Sequence, residues 1–253
     1  MKVLVNGQLI EYKKEGQGNA VLLLHGWGTS LASFDQLSQH LVVTGHEVFR
    51  IDFPGFGASP VPNGNWSVGE YAELTAAFVG KMNISKLTAI FGHSFGGRVI
   101  IKGVATGLLQ PEKVILMGSA GIKPKTTAKM IAYRTVAKTG KAVTALPGLN
   151  KMSKSLRERL YAAVGSSDYQ QSGAMKQVFL NTIREDLTQY LPAIAAPTLL
   201  LWGERDTETP LADGKLMHAK ISKSELIVLP NAGHFVYDDD FDGATKAIDR
   251  FLG

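Results

Sequence analysis

The stretch FGHSFGGR, residues 91–98, constrains the fold of this chain more than any other. Leu87 to Phe91 is rich in β-forming and apolar residues and stops at Gly92, which reads as a short buried strand. Beyond it, Ile100, Ile101, Val104, Ala105 and Leu108 recur at helical spacing and predict a helix over Phe95 to Leu109. Strand must therefore become helix within a few residues. Gly92 and Gly96 flank Ser94 on either side and Gly97 follows, which relieves the backbone crowding of so sharp a turn. Ser94 has two readings here. It is a helix cap whose hydroxyl accepts from an orphan backbone N–H, or it is a nucleophile held at the crest of a strand-turn-helix in the pattern G-x-S-x-G. A cap does not need the glycines, which favours the nucleophile.

The rest of the chain alternates in the same way. Lys2–Val5, the turn dipeptide Asn6-Gly7 and Gln8–Tyr12 predict a β-hairpin. Further strands are expected at 20–24, 47–51, 114–117, 197–202 and 226–229. Ser33 to Gln36 and Ser67 to Glu70 have capping-box spacing and precede amphipathic runs. Helices are also expected over 211–219 and 242–252, the latter with Asp238, Asp239, Asp240 and Asp242 near its positive end. Continuous apolar strands alternating with helices imply an α/β fold: a mostly parallel eight-stranded sheet flanked by helices on both faces.

One stretch interrupts the pattern. Residues 122–190 hold no good strand and read as helical pieces broken at Pro147-Gly148 and Gly165. The expected organisation is therefore a core of 1–121 with 191–253, and a helical cap inserted at 122–190. That insertion carries 12 Lys/Arg against 4 Asp/Glu, so the net charge of +5 is concentrated there. A solvated basic face accounts for it. No aromatic-interleaved platform or binding motif accompanies the lysines, so a nucleic-acid partner is not expected. No run approaches the ~18 apolar residues of a membrane span, and Met1-Lys2-Val3-Leu4 leads into the hairpin rather than into a secretory segment. A soluble, cytoplasmic protein without stable membrane insertion is expected. With no cysteine, any nucleophile must be an oxygen or an amine. The histidine spacings suit no metal site.

Ligands of open α/β sheets bind beyond the carboxyl ends of the strands, and here those ends read HGWG (25–28), DFPGFGAS (52–59), GERDTETP (203–210) and PNAGHF (230–235). With the G-x-S-x-G turn, these motifs resemble the α/β-hydrolases, the superfamily of esterases, lipases and related enzymes. They occur in that family's order, and the likeness spans nearly the full length.

A serine hydroxyl needs a base to take its proton, and an imidazole is suited to that at neutral pH. His234 is the candidate, in a glycine-containing loop after the final strand. His218 falls in an expected helix, and His40 and His46 flank an early one. The side chain of His93 should diverge from that of Ser94 at the turn, and His25 shapes its own loop. The base needs an orienting carboxylate. The resemblance places it at Asp206, with Glu204 and Glu208 as alternatives in the same loop, and makes Asp52 a structural residue of the D-x-x-G-x-G loop. It also implies an oxyanion hole from the backbone N–H groups of Phe95 and Trp27. Phe56 and Phe235, also on these loops, are candidates for an apolar pocket.

Within the superfamily, haloalkane dehalogenases and epoxide hydrolases carry aspartate at the elbow, against which Ser94 argues. Ring-cleavage C–C hydrolases retain serine, but typically carry a tryptophan shortly after the catalytic histidine, where this chain has Phe235-Val236-Tyr237. The expectation is a cofactor-free, metal-free serine hydrolase cleaving small carboxylic esters through Ser94, Asp206 and His234. The alternatives are a C–C bond hydrolase and a ligand-binding signalling protein with an intact triad.

Overall fold

The computed structural model describes residues 1–123 and 172–253. The chain divides into two compact units, Met1–Lys123 with Ala174–Gly253, and Pro124–Gly173. Most of the expected insertion, 124–171, lies outside the described residues, whereas 174–190 falls within the first unit.

That unit is built on an eight-stranded sheet ordered β1-β2-β4-β3-β5-β6-β7-β8. The hairpin forms as expected from β1 (Lys2–Val5) and β2 (Gln8–Gly16), with Leu4 opposite Leu9. Strand β2 runs further than the apolar pattern indicated, because its polar half pairs antiparallel with β4 (His46–Ile51), from Tyr12 opposite Ile51 to Gly16 opposite Glu47. The remaining pairings are parallel and involve β3 (Asn19–Leu24), β5 (Leu87–His93), β6 (Lys113–Met117), β7 (Thr198–Gly203) and β8 (Ser224–Leu229).

Alternation along these strands feeds two cores. Leu22, Leu24, Ile90, Leu116 and Leu200 pack on one face with α2 (Val68–Lys81), α3 (Phe95–Ala105) and α5 (Leu211–Lys220). Val21, Leu23, Phe91, Ile115 and Leu201 pack on the other with α1 (Asp35–Val43) and α7 (Phe241–Leu252). Each such apolar side chain contributes about 1.5–3 kcal/mol by leaving water. Covering both faces is what makes the central strands apolar at every position.

Of the two expected capping boxes, one forms. Ser67 accepts from Gly69 N, and Glu70 accepts from Ser67 N at 2.7 Å, opening α2. The Ser33 box does not form. The chain turns one step earlier in a 3-10 helix, Leu31–Phe34, capped by Ser30, and Ser33 Oγ donates back to Ser30 O at 2.8 Å. Asp52 Oδ1 accepts from Leu31 N at 2.7 Å and so fixes this earlier start. Helix α3 ends at Ala105, short of the expected Leu109. Leu109 instead folds back, its N–H donating to Gly103 O at 3.0 Å. No helix among the described residues is long and apolar enough to cross a membrane.

Candidate active site

The carboxyl ends of β3, β5, β7 and β8 meet along one edge, as adjacent parallel pairing requires. Between β5 and α3 the elbow forms at Ser94, with φ 49° and ψ −106°. A non-glycine residue in that region costs on the order of 1–3 kcal/mol and persists only when its surroundings hold it. Here Ser94 N donates to Met117 O at 3.2 Å, while Ser94 O accepts from Gly97 N at 3.1 Å and Ala120 N at 3.0 Å. Ser94 occupies the N-cap position of α3, yet its side chain makes no capping hydrogen bond. The cap reading thus fails.

The glycines have a steric cause. A Cβ on Gly92 would lie 2.7 Å from Gly96 C, and one on Gly96 would lie 2.0 Å from Leu24 O. Gly92 is crowded by the start of α3 and Gly96 by the end of β3, so neither position admits a side chain.

His234, between β8 and the short helix α6 (Val236–Asp239), points its Nδ1 at Asp206 Oδ2, 2.9 Å away. Asp206 follows β7 and is almost fully buried. Its Oδ1 accepts from Glu208 N and Thr209 N, both at 2.9 Å, and its Oδ2 accepts from Thr209 Oγ1 at 2.7 Å. Burial alone would raise the carboxyl pKa. The hydrogen bond from His234 and those from Thr209 outweigh it and hold Asp206 below the usual carboxylate range. Glu204 and Glu208 are exposed.

Among the described residues no hydrogen bond joins Ser94 Oγ to His234; the two are linked through His93. The His93 ring centroid lies 4.6 Å from that of His234, and its Nε2 donates to His234 O at 3.0 Å.

The 25–28 loop closes the other side. A Cβ on Gly26 would lie 3.4 Å from Ser94 Cβ, which puts Trp27 beside the elbow. His25 Nδ1 donates to Gly26 O at 2.7 Å and its Nε2 accepts from Phe53 N at 3.0 Å, tying this loop to the one after β4. Burial pushes His25 down to about 4, so it stays neutral in that role. Phe95 is the first residue of α3, and its N–H has no carbonyl one turn behind it. The rings of Trp27 and Phe95 meet edge to face at 5.4 Å.

Phe56 joins that cluster, 4.8 Å from Trp27. Phe235 does not: it is 37% exposed and packs on His93 at 4.8 Å and His234 at 5.7 Å. A ring missing from the sequence reading takes its place. Phe179, on α4 (Lys176–Arg184), lies 5.1 Å from Trp27. Helix α4 is anchored by Arg98 Nη1, which donates to Thr182 O at 3.1 Å and Glu185 O at 2.9 Å. Thr209 was also missed, since a lone hydroxyl in a loop leaves no periodic or motif signal. Asp52 is structural as expected, its Oδ2 accepting from Ala58 N at 2.7 Å. The other histidines are dispersed: His40 bonds Asp249 at 2.9 Å and His218 bonds Ser224 at 3.0 Å.

A strand-elbow-helix on a mostly parallel eight-stranded sheet, with an Asp–His pair on the same edge, defines the α/β-hydrolase class. The chain belongs to that family: the model described as "alpha/beta hydrolase fold" matches residues 19–241. It is 28% identical over 269 residues to 2-hydroxy-6-oxononadienedioate/2-hydroxy-6-oxononatrienedioate hydrolase 1 of Pseudomonas putida, covering 96% of this chain and 91% of that protein. Among solved structures it resembles an esterase from Exiguobacterium antarcticum, with a TM-score of 0.76, 22% identity and coverage of 100% and 98% of the two chains. It also resembles a meta-cleavage product hydrolase from Pseudomonas fluorescens, with a TM-score of 0.74, 21% identity and coverage of 100% and 97%.

Proposed function

We propose that the chain is a serine hydrolase that cleaves carboxylic esters of small apolar acids through an acyl-enzyme intermediate. The observation that carries this reading is the hydrogen-bonded pair of buried Asp206 and half-buried His234 on the sheet edge that presents Ser94 at a strained elbow. Ser94 Oγ attacks the ester carbonyl while His234 Nε2 takes its proton. Asp206 holds Nδ1–H, so Nε2 is the free basic nitrogen. The carbonyl oxygen becomes an oxyanion that accepts from Trp27 N–H and Phe95 N–H. His234 then passes the proton to the departing alkoxide. Water, deprotonated by His234, releases the acid and restores Ser94. The rings of Trp27, Phe56 and Phe179 form the apolar wall for the acyl group.

The named activity of the Pseudomonas putida relative favours a second reading, C–C bond hydrolysis of dienoic diketone acids. Such substrates need a cation to orient their carboxylate. Arg98, near the elbow, is committed to the Thr182 and Glu185 carbonyls. Arg184 is exposed, and Arg134, Arg157 and Arg159 lie outside the described residues. Ester hydrolysis makes no such demand.

The test is kcat/KM for p-nitrophenyl acetate, butyrate, octanoate and palmitate beside a 2-hydroxy-6-oxo-dienoate, with phosphonate labelling of wild type and Ser94→Ala. We expect label at Ser94 alone, loss of several orders of magnitude in turnover for Ser94→Ala, and a preference among esters graded by only ~1–3 kcal/mol per methylene. More efficient turnover of the dienoate than of every ester establishes the second reading instead. Tight binding with almost no product release identifies a signalling receptor.

A further inference from the structure

The roles assigned to Ser94, Asp206 and His234 leave one buried histidine unexplained. His93 is 1% exposed. Since its Nε2 donates to His234 O, the neutral ring carries its proton there, and Nδ1 offers only a lone pair. That Nδ1 is buried and has no hydrogen-bond partner. It faces the main chain of the 25–28 loop, where a Cβ on Gly26 would sit 2.8 Å away. The ring itself packs well, its centroid 4.8 Å from Phe235 and 5.2 Å from Tyr237. If the position needed only a flat ring, phenylalanine would fill it without stranding a polar atom away from water. The histidine is therefore explained by its other nitrogen.

That nitrogen holds the main chain of His234. The loop just before His234 is tied down by Arg205 N donating to Ala232 O at 3.0 Å and Gly233 N donating to Asp239 Oδ2 at 2.7 Å. Its imidazole is held by Asp206, and its carbonyl by His93, the residue covalently joined to Ser94. Nucleophile and base thus stand at the two ends of a circuit made of one peptide bond and one hydrogen bond. We propose that His93 is a positioning residue: through its bond to the His234 carbonyl it sets the distance over which the Ser94 proton is transferred. This rests on the assignment of Ser94 and His234 made above. Burial, and next the charge of His234, push His93 down to about 3, so its ring stays uncharged when His234 becomes imidazolium beside it.

The experiment compares His93→Phe, which keeps the ring and removes the donor, with His93→Gln, whose amide N–H reaches towards the same carbonyl. The Phe variant loses a stranded lone pair, so its thermal midpoint stays within a few degrees of wild type. Its kcat falls on the order of ten- to a hundred-fold, as displaced reacting groups do, with KM within about twofold. Phosphonate labelling of Ser94 slows in parallel, and the His234 Nδ1–H proton resonance broadens. His93→Gln recovers most of the rate. A folded His93→Phe protein with wild-type kcat overturns the inference, as does a Gln variant no faster than the Phe variant. If His93→Phe does not fold, His93→Leu, which also lacks the donor, is read in the same way. Failure of wild-type protein to label at Ser94 overturns the underlying assignment instead.

Discussion

Asp206→Asn separates the orienting role of this carboxylate from its structural one. Oδ1 accepts two backbone N–H groups, from Glu208 and Thr209, and an amide oxygen preserves both. Oδ2 faces His234 Nδ1 at 2.9 Å and Thr209 Oγ1 at 2.7 Å, and there the substitution places an NH2. The threonine adapts, because its hydroxyl has a second acceptor in Gly118 O at 3.0 Å and can then receive a bond from the amide. His234 adapts only by moving its proton to Nε2, the nitrogen that must accept from Ser94. The fold should survive while the base is switched off. We expect kcat for p-nitrophenyl butyrate to fall by a factor on the order of 10⁴, or about 5 kcal/mol of transition-state stabilisation at ~1.36 kcal/mol per decade. Glu204→Gln and Glu208→Gln should change kcat less than about threefold, because their carboxylates face solvent. Steady-state kinetics on variants with matched thermal midpoints decides the matter. An Asp206→Asn enzyme within tenfold of wild type, or a larger loss in either glutamine variant, refutes the reasoning.

Two further predictions concern stability. Gly96→Ala would drive a methyl group to 2.0 Å from the Leu24 carbonyl, a rigid strand atom, so it should cost about 3 kcal/mol or more; an unchanged urea midpoint would contradict this contact. Asp35 is held below the usual carboxylate range chiefly by its hydrogen bond to the buried Arg50, and Glu15, against the cost of its burial, is held low by the same guanidinium. A carboxyl depressed in the folded state stabilises at neutral pH and loses that contribution as pH falls through its folded pKa. Asp35→Asn should therefore flatten the acid limb of the thermal midpoint, modestly since both carboxylates are partly solvated; an equally steep limb would count against the linkage.

The hairpin was legible through its Asn6-Gly7 turn, and the central strands through their runs of apolar residues, as a sheet covered on both faces requires. Their ends were less so. Lys13 to Gly16 belong to β2 only because β4 lies beside them, and nothing local announces that pairing. The Ser33 box had correct spacing but lost to Ser30, since Asp52, 21 residues away along the chain, captures the Leu31 N–H. At the candidate site, the elbow at Ser94 was legible through its glycines, which report steric crowding, and Asp206 and His234 were proposed from the motifs of their loops. Thr209, Phe179 and the bond from His93 were not. Each acts by tertiary contact between residues whose local sequence is ordinary, whereas Phe235, also aromatic and adjacent to His234 in sequence, packs on His93 and His234 instead of on Trp27.

The return of the chain to the core has a consequence for how the molecule tolerates change. Leu187 N donates to Gly121 O at 2.9 Å, so the main chain is pinned to itself across the residues between them. Arg98 clamps the incoming end a few residues earlier. These bonds all lie outside 124–171 and do not depend on what that stretch contains. For such a closed loop the entropic cost grows only logarithmically, by about 0.6 kcal/mol for each doubling of length. Insertions, deletions and exchange within 124–171 should therefore be nearly free for the folding of the sheet, and descendants of this chain can trade that stretch for another while α4, the elbow and its histidine stay in register.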